Sequence, residues 1–147
     1  MKLVDAQALV TKAEKIAQRD GFSISVSVVD VAGLQVLFSR MDGTALGTID
    51  VANKKARTAA LFHTDAKALG EVARAGSSLY TLENTNGGMI SFGGGLVIRN
   101  EQGDVIGAVT HVESAPARSI ADKFPADHFL VKTPGFFHVA APEGDVS

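Results

Sequence analysis

The sequence predicts an α+β fold, with a mainly antiparallel sheet and helices on one or both of its faces. Three observations lead there. Apolar residues recur at three- and four-residue steps in some segments and at two-residue steps in others. The strand-like runs come in pairs split by turn residues, not in strict alternation with helices. The length, 147 residues, suits one domain.

Asp5 to Asp20 reads as the first helix, because Ala6, Leu9, Val10, Ala13, Ile16 and Ala17 share one face. Asp5 is placed to cap its amides and Gly21 to stop it. From Phe22 to Val28 the period becomes two, with Ser23, Ser25 and Ser27 between apolar residues, as in a strand with one buried face. Asp30-Val31-Ala32-Gly33 supplies a turn, and Leu34 to Met41 returns as the second strand of a hairpin.

Asp42-Gly43-Thr44 ends that strand, and a helix starts at Gly47 or Thr48 with Asp50 in its first turn. Ile49, Ala52, Ala56, Ala59 or Ala60, and Phe62 form its apolar stripe; Asn53, Lys54, Arg57 and Thr58 form the polar side. A further helix follows Thr64-Asp65, with Ala66, Leu69, Val72 and Ala73 apolar and Gly76 as its end. Leu79, Tyr80 and Leu82 fit either a short helical turn or an extended piece, and Asn84 to Gly88 is a loop. Leu96-Val97-Ile98 and Val105 to Glu113 make a second hairpin around Asn100 to Gly103. All four prolines lie in the last 32 residues, where Ser119 to Lys123 reads as a short helix. Phe129, Phe136 and Phe137 make the tail from about residue 114 too apolar to be a free one. The whole of 1–147 is expected to be a single domain that ends in this tail.

Composition narrows the function classes. There is no cysteine, so disulfides, thiolate metal sites and cysteine nucleophiles are excluded. A net charge of −2 leaves no electrostatic footprint for nucleic acid. Apolar runs fall far short of the roughly 20 residues of a membrane span, and the first residues lack a signal-peptide core, so a soluble cytoplasmic protein is expected.

Gly93-Gly94-Gly95 lacks the lysine of a phosphate loop and precedes a strand where a dinucleotide fingerprint would follow one. A bulged strand entry explains it better. With Asn86, Ser91 and Phe92, however, this region offers open amides and lining groups for a ligand. Arg40, Asp42, Asn53, Lys54, Lys55 and Arg57 form the densest polar set, with Arg40, Asp42, Asn53 and Arg57 as ligand-binding candidates. A solvated helix face, with a structural Arg–Asp pair at the turn, is the better explanation of any single one of them.

None of the four histidines, His63, His111, His128 and His138, forms a helical i, i+4 metal pair. His63 suits the end of a helix, where its charge would meet the dipole. Strand alternation turns His111 and Glu113 to the same side, which suits a general base and the carboxylate that orients it. A satisfied polar pair at a sheet edge is the competing explanation.

Several of these strings occur together and in order: Val28-Val29-Asp30 with Gly33, Phe38-Ser39-Arg40-Met41-Asp42-Gly43, Ile49-Asp50-Val51-Ala52, Lys55-Ala56-Arg57-Thr58-Ala59-Ala60-Leu61-Phe62, Gly93 to Ile98, and Gly103 to Val109. In that combination the chain resembles the GlcG/HbpS family, also described as haem-degrading-domain proteins. The resemblance implies a sandwich around an antiparallel sheet of about five strands, a symmetric homo-oligomer and a small-molecule ligand. Haem is the ligand it favours, with His63 or His111 as the iron donor. The C-terminal domain of certain corrinoid adenosyltransferases looks similar too. The chain departs from the family pattern after Gly107 and has no histidine in its first helix. The alternative expectation is a lyase or isomerase for a small anionic metabolite, with His111 as base, Glu113 as its orienter, and Arg40 or Arg57 holding a carboxylate.

Overall fold

The computed structural model describes residues 1–114. The elements run α1 (Leu3–Asp20), β1 (Ser23–Asp30), β2 (Gln35–Arg40), α2 (Thr48–Phe62), α3 (Ala66–Val72), a 3₁₀ turn (Leu82–Asn84), β3 (Gly95–Arg99) and β4 (Val105–Ser114). Readings that fall on the tail, including the helix at Ser119 to Lys123, the phenylalanines, His128 and His138, lie outside the described residues.

The four described strands form one antiparallel sheet in the order β2-β1-β4-β3, one strand short of the five the resemblance implied. Both hairpins form where the periodicity placed them. In the first turn the Asp30 carboxylate accepts from the amides of Ala32 and Leu34 at 2.9 Å, which ties the turn to its own strand.

Two helices cover the two faces of this sheet. Ala6, Leu9, Val10, Ala13 and Ala17 of α1 pack against Ile24, Val26, Val28, Ile98 and Val109. On the other face Ala56, Ala59 and Ala60 of α2 meet Val29, Val97 and Ala108. Small alanine side chains let α2 lie close to the strands. The result is a three-layer sandwich, helix on sheet on helix.

Three expectations need correction. Helix α1 starts at Leu3, with the Ala6 amide bonded to the Lys2 carbonyl at 3.1 Å, so Asp5 sits in the first turn and does not cap. There its carboxylate still suits the positive end of the dipole. Helix α3 ends at Val72, with Ala73 as its C-cap, before Gly76; the chain there turns back and the Leu79 amide bonds the Val72 carbonyl. Strand β1 is not half-exposed: Ser25 and Ser27 are fully buried under α2. Alternation of serine with valine looks amphipathic, but a central strand between two helices has no wet face.

Candidate functional site

The serines of β1 mark a polar patch inside the α2 interface. Ser25 and Thr48 share a hydroxyl hydrogen bond of 2.7 Å, and Thr110 donates to the Gly94 carbonyl at 2.8 Å. The Ser27 hydroxyl, in register with Thr110, has no hydrogen-bond partner among the described residues.

Lys55 lies at the end of this patch. Its relative exposure is only 6%. It occupies the buried stripe of α2 because it follows Ala52 by three residues and precedes Ala59 by four. Its Nζ donates to the Gly93 carbonyl at 2.8 Å and stands 4.0 Å from the centre of the Phe92 ring. Burial pushes the ammonium down to a pKa of about 8.

The glycine run is shaped by this lysine. A Cβ on Gly94 would come within 3.1 Å of Nζ, and one on Gly95 would lie 2.5 Å from the Lys55 carbonyl oxygen. Gly94 also has a φ of +121°, which side chains rarely adopt. The run therefore serves close packing of α2 on the β3 entry, not phosphate binding.

His111 sits beside this corner. Strand β3 begins opposite Thr110, so His111 lies just beyond the end of that pairing. Alternation turns it to the Val109 side of the sheet, away from α2. It is half-buried, and loss of hydration, with the Lys55 ammonium adding, pushes its pKa down to about 4. The imidazole is therefore neutral at physiological pH. Glu113 continues the strand in backbone only, and its side chain is outside the described residues.

The other candidates disperse along α2. Arg57 donates to the Asn86 carbonyl and packs by its Cγ against Gly33, which joins two of the expected binding residues. Asn53 accepts from the Gln35 side chain at 2.9 Å. Arg40 and Asp42 are exposed near the opposite end of the helix, where Arg40 donates to the Thr44 carbonyl at 3.3 Å. Nine residues separate Thr48 from Arg57, a rise of roughly 13 Å. Arg40 and Arg57 therefore do not converge on one small ligand. His63 is exposed at the C-cap of α2 with φ +51°, and its carbonyl accepts from Arg99 at 3.2 Å.

Ser91 and Phe92 wall a groove of about 270 Å³ beside α3, together with Lys67, Arg74, Glu83 and Gly93. The Glu83 carboxylate accepts from both the amide and the hydroxyl of Ser91, at 3.0 and 2.6 Å, and these bonds lower its pKa. Gly70 lets α3 pass: a Cβ there would fall 2.3 Å from the Ser91 carbonyl oxygen. Among the described residues no group of three His, Asp or Glu side chains is placed to hold a metal ion, and no helix is long and apolar enough to cross a membrane.

Fold and site together define a helix–sheet–helix sandwich built on an antiparallel sheet, with a buried lysine at the glycine-rich entry of β3. The chain belongs to the GlcG/HbpS family: the family model described as haem degrading protein HbpS-like matches residues 1–113. It is 39% identical over 106 residues to an uncharacterized 15.0 kDa protein in the dhaT-dhaS intergenic region of Citrobacter freundii, covering 71% of this chain and 70% of that one. Among solved structures it is similar to the Klebsiella pneumoniae protein ORFY, with a TM-score of 0.74 and 32% identity over 78% of this chain and 79% of that one. It is also similar to a PduOC:heme complex, with a TM-score of 0.72 and 30% identity over 78% of this chain and 83% of that one.

Sequence reasoning missed Lys55 as a site residue. A signal was present. Thr48, Ala52, Lys55 and Ala59 follow the helical repeat of the buried stripe, so a lysine there must bury its charge.

Proposed function

We propose that this chain binds haem at the sheet edge beside His111. The observation that carries the reading is the 30% identity and shared fold with a chain solved as a haem complex. The residues present fit a surface-held macrocycle. Cysteine is absent, which excludes a thiolate donor, and His111 offers a nitrogen that burial holds neutral. When bound, haem would supply an iron centre for ligand or redox chemistry. His111 would hold the iron, and the partly buried Leu96, paired with Val109 on the same face, would exclude water from one side. The groove beside α3, at about 270 Å³, is below the roughly 300–1,000 Å³ of pockets that enclose a ligand.

Haemin titration of the purified protein tests this. A saturable Soret shift is expected, lost in His111→Ala and kept in His63→Ala. Absence of the shift, or a shift indifferent to both substitutions, overturns the reading.

The same reading includes a homo-oligomer. Val72, Leu79 and Tyr80 are exposed around α3 and the following turns, where a second copy would cover them.

A further inference from the structure

We propose that Lys55 is a carboxylate-binding residue, with the Phe92 ring as the cover a ligand displaces to reach it. Three observations carry this. First, a primary ammonium has three N–H donors. Lys55 places one on an oxygen, the Gly93 carbonyl, and forms no ion pair with a carboxylate among the described residues. A buried cation with one neutral acceptor is costly to keep for structure alone. Second, one of the groups that hide Nζ from water is movable. The Phe92 ring over it is 57% exposed, and it is itself a wall of the groove beside α3. Exposed side chains change rotamer in picoseconds to nanoseconds, so the cover opens without any backbone movement. Third, Gly94 carries no side chain beside Nζ: a Cβ there would stand 3.1 Å from it, in space that a ligand oxygen would need.

The charge balance of the surroundings agrees. Lys67 flanks Gly93, and the groove carboxylate Glu83 is turned to Ser91. Arg74 is paired with Glu71. Among the described residues Lys55 therefore has no built-in counter-ion on that side. A ligand carboxylate would supply it, accepting from Nζ and gaining strength from the dry surroundings.

Two sources offer that chemistry, a propionate of haem or a free small acid. The inference does not need the haem reading, and the test separates them. Malonate would be titrated into protein carrying ¹³C-labelled lysine, with the Lys55 Cε signal assigned by its loss in Lys55→Arg. In parallel, haemin and its dimethyl ester would be titrated into wild type and Lys55→Met.

For a free acid, malonate is expected to saturate and to move the Lys55 titration midpoint up toward the ordinary lysine range. Its affinity should fall about tenfold to a hundredfold in Lys55→Met. For a propionate, wild type should prefer haemin to the ester by a similar factor, and Lys55→Met should erase the preference without moving the Soret band. A Lys55 midpoint unmoved by malonate, together with an unchanged haemin preference in Lys55→Met, overturns the inference. A Soret shift that persists through that result leaves the haem reading standing by itself. If Lys55→Met does not fold, the wild-type malonate and ester titrations still decide the question.

Discussion

Two titratable side chains at one corner of the sheet give this protein a defined pH signature. Lys55 ordinarily titrates near 10.5 and in the folded chain near 8. Between those values the unfolded chain holds a proton the folded chain has lost, so stability rises with pH across the window. Below 8 the buried charge opposes folding in full. The urea midpoint is therefore expected to climb from pH 8 to 10, and Lys55→Met should raise it at pH 7 and flatten that climb. His111 works in the same direction at lower pH. Its ordinary value of 6.5 falls to about 4 on folding, so stability drops as pH falls from 6.5 and levels off below 4. His111→Gln should flatten this acid limb and leave the alkaline one. An acid limb identical to wild type would show that His111 is hydrated in solution. The low pKa also makes His111 a weak base at neutral pH, which suits an iron donor better than a proton acceptor. Its position on the strand was legible from alternation alone. What surrounds it was not, because Lys55 reaches the same corner from an element more than fifty residues earlier.

At the scale of elements, short-range order was readable and the long loop was not. The helices and hairpins follow from periodicity, since each is set by residues within a few positions of one another. The segment between α3 and β3 has no such period. It is held by bonds that span the sequence: Thr58 accepts from the Ile90 amide at 3.1 Å, Arg57 donates to the Asn86 carbonyl, and Glu83 holds Ser91. No local pattern could announce these. Thr58 is fully buried and also donates to the Lys54 carbonyl at 2.7 Å. Thr58→Val keeps the shape and strands the Ile90 amide, at a cost of about 1–3 kcal/mol. Hydrogen exchange should then quicken at Ile90 and its neighbours, with the β1–β4 amides unaffected at equal stability. Uniform quickening would mean that the loop and sheet open as one unit. The β3 entry offers a second test. Gly95→Ala forces a methyl against the Lys55 carbonyl, 2.5 Å away, and overpacking of this kind costs about 1–3 kcal/mol. Denaturant midpoints would read the loss; an unchanged midpoint would show that α2 can shift outward at this point.

Over the whole molecule, the covering of the sheet is uneven, and this bears on assembly. One helix lies on β1 and β2 and another on the opposite face over β1, β4 and β3, so the core is divided into two clusters. Exposed apolar residues occur elsewhere too, Leu46 and Val4 among them, but Val72, Leu79 and Tyr80 fall in one stretch at α3 and the turns after it. Val72 is 40% exposed, Leu79 43% and Tyr80 60%. The Leu79 amide bonds the Val72 carbonyl, which brings two of these next to each other. Single exposed apolar residues need no explanation, so the contact proposed for these three rests on their lying together. Tyr80 is the most exposed of them and makes no hydrogen bond through its side chain among the described residues. Tyr80→Glu should therefore leave the monomer's stability within about 0.5 kcal/mol, the usual range for surface changes. If a second copy sits here, the same substitution buries a charge at the interface and should reduce the mass measured by sedimentation to that of one 15.3 kDa chain. Wild type would sediment as a multiple of that mass under the same conditions. A multiple that survives Tyr80→Glu would put the contact elsewhere and leave this patch, with the Phe92 cover at its edge, open to the ligand.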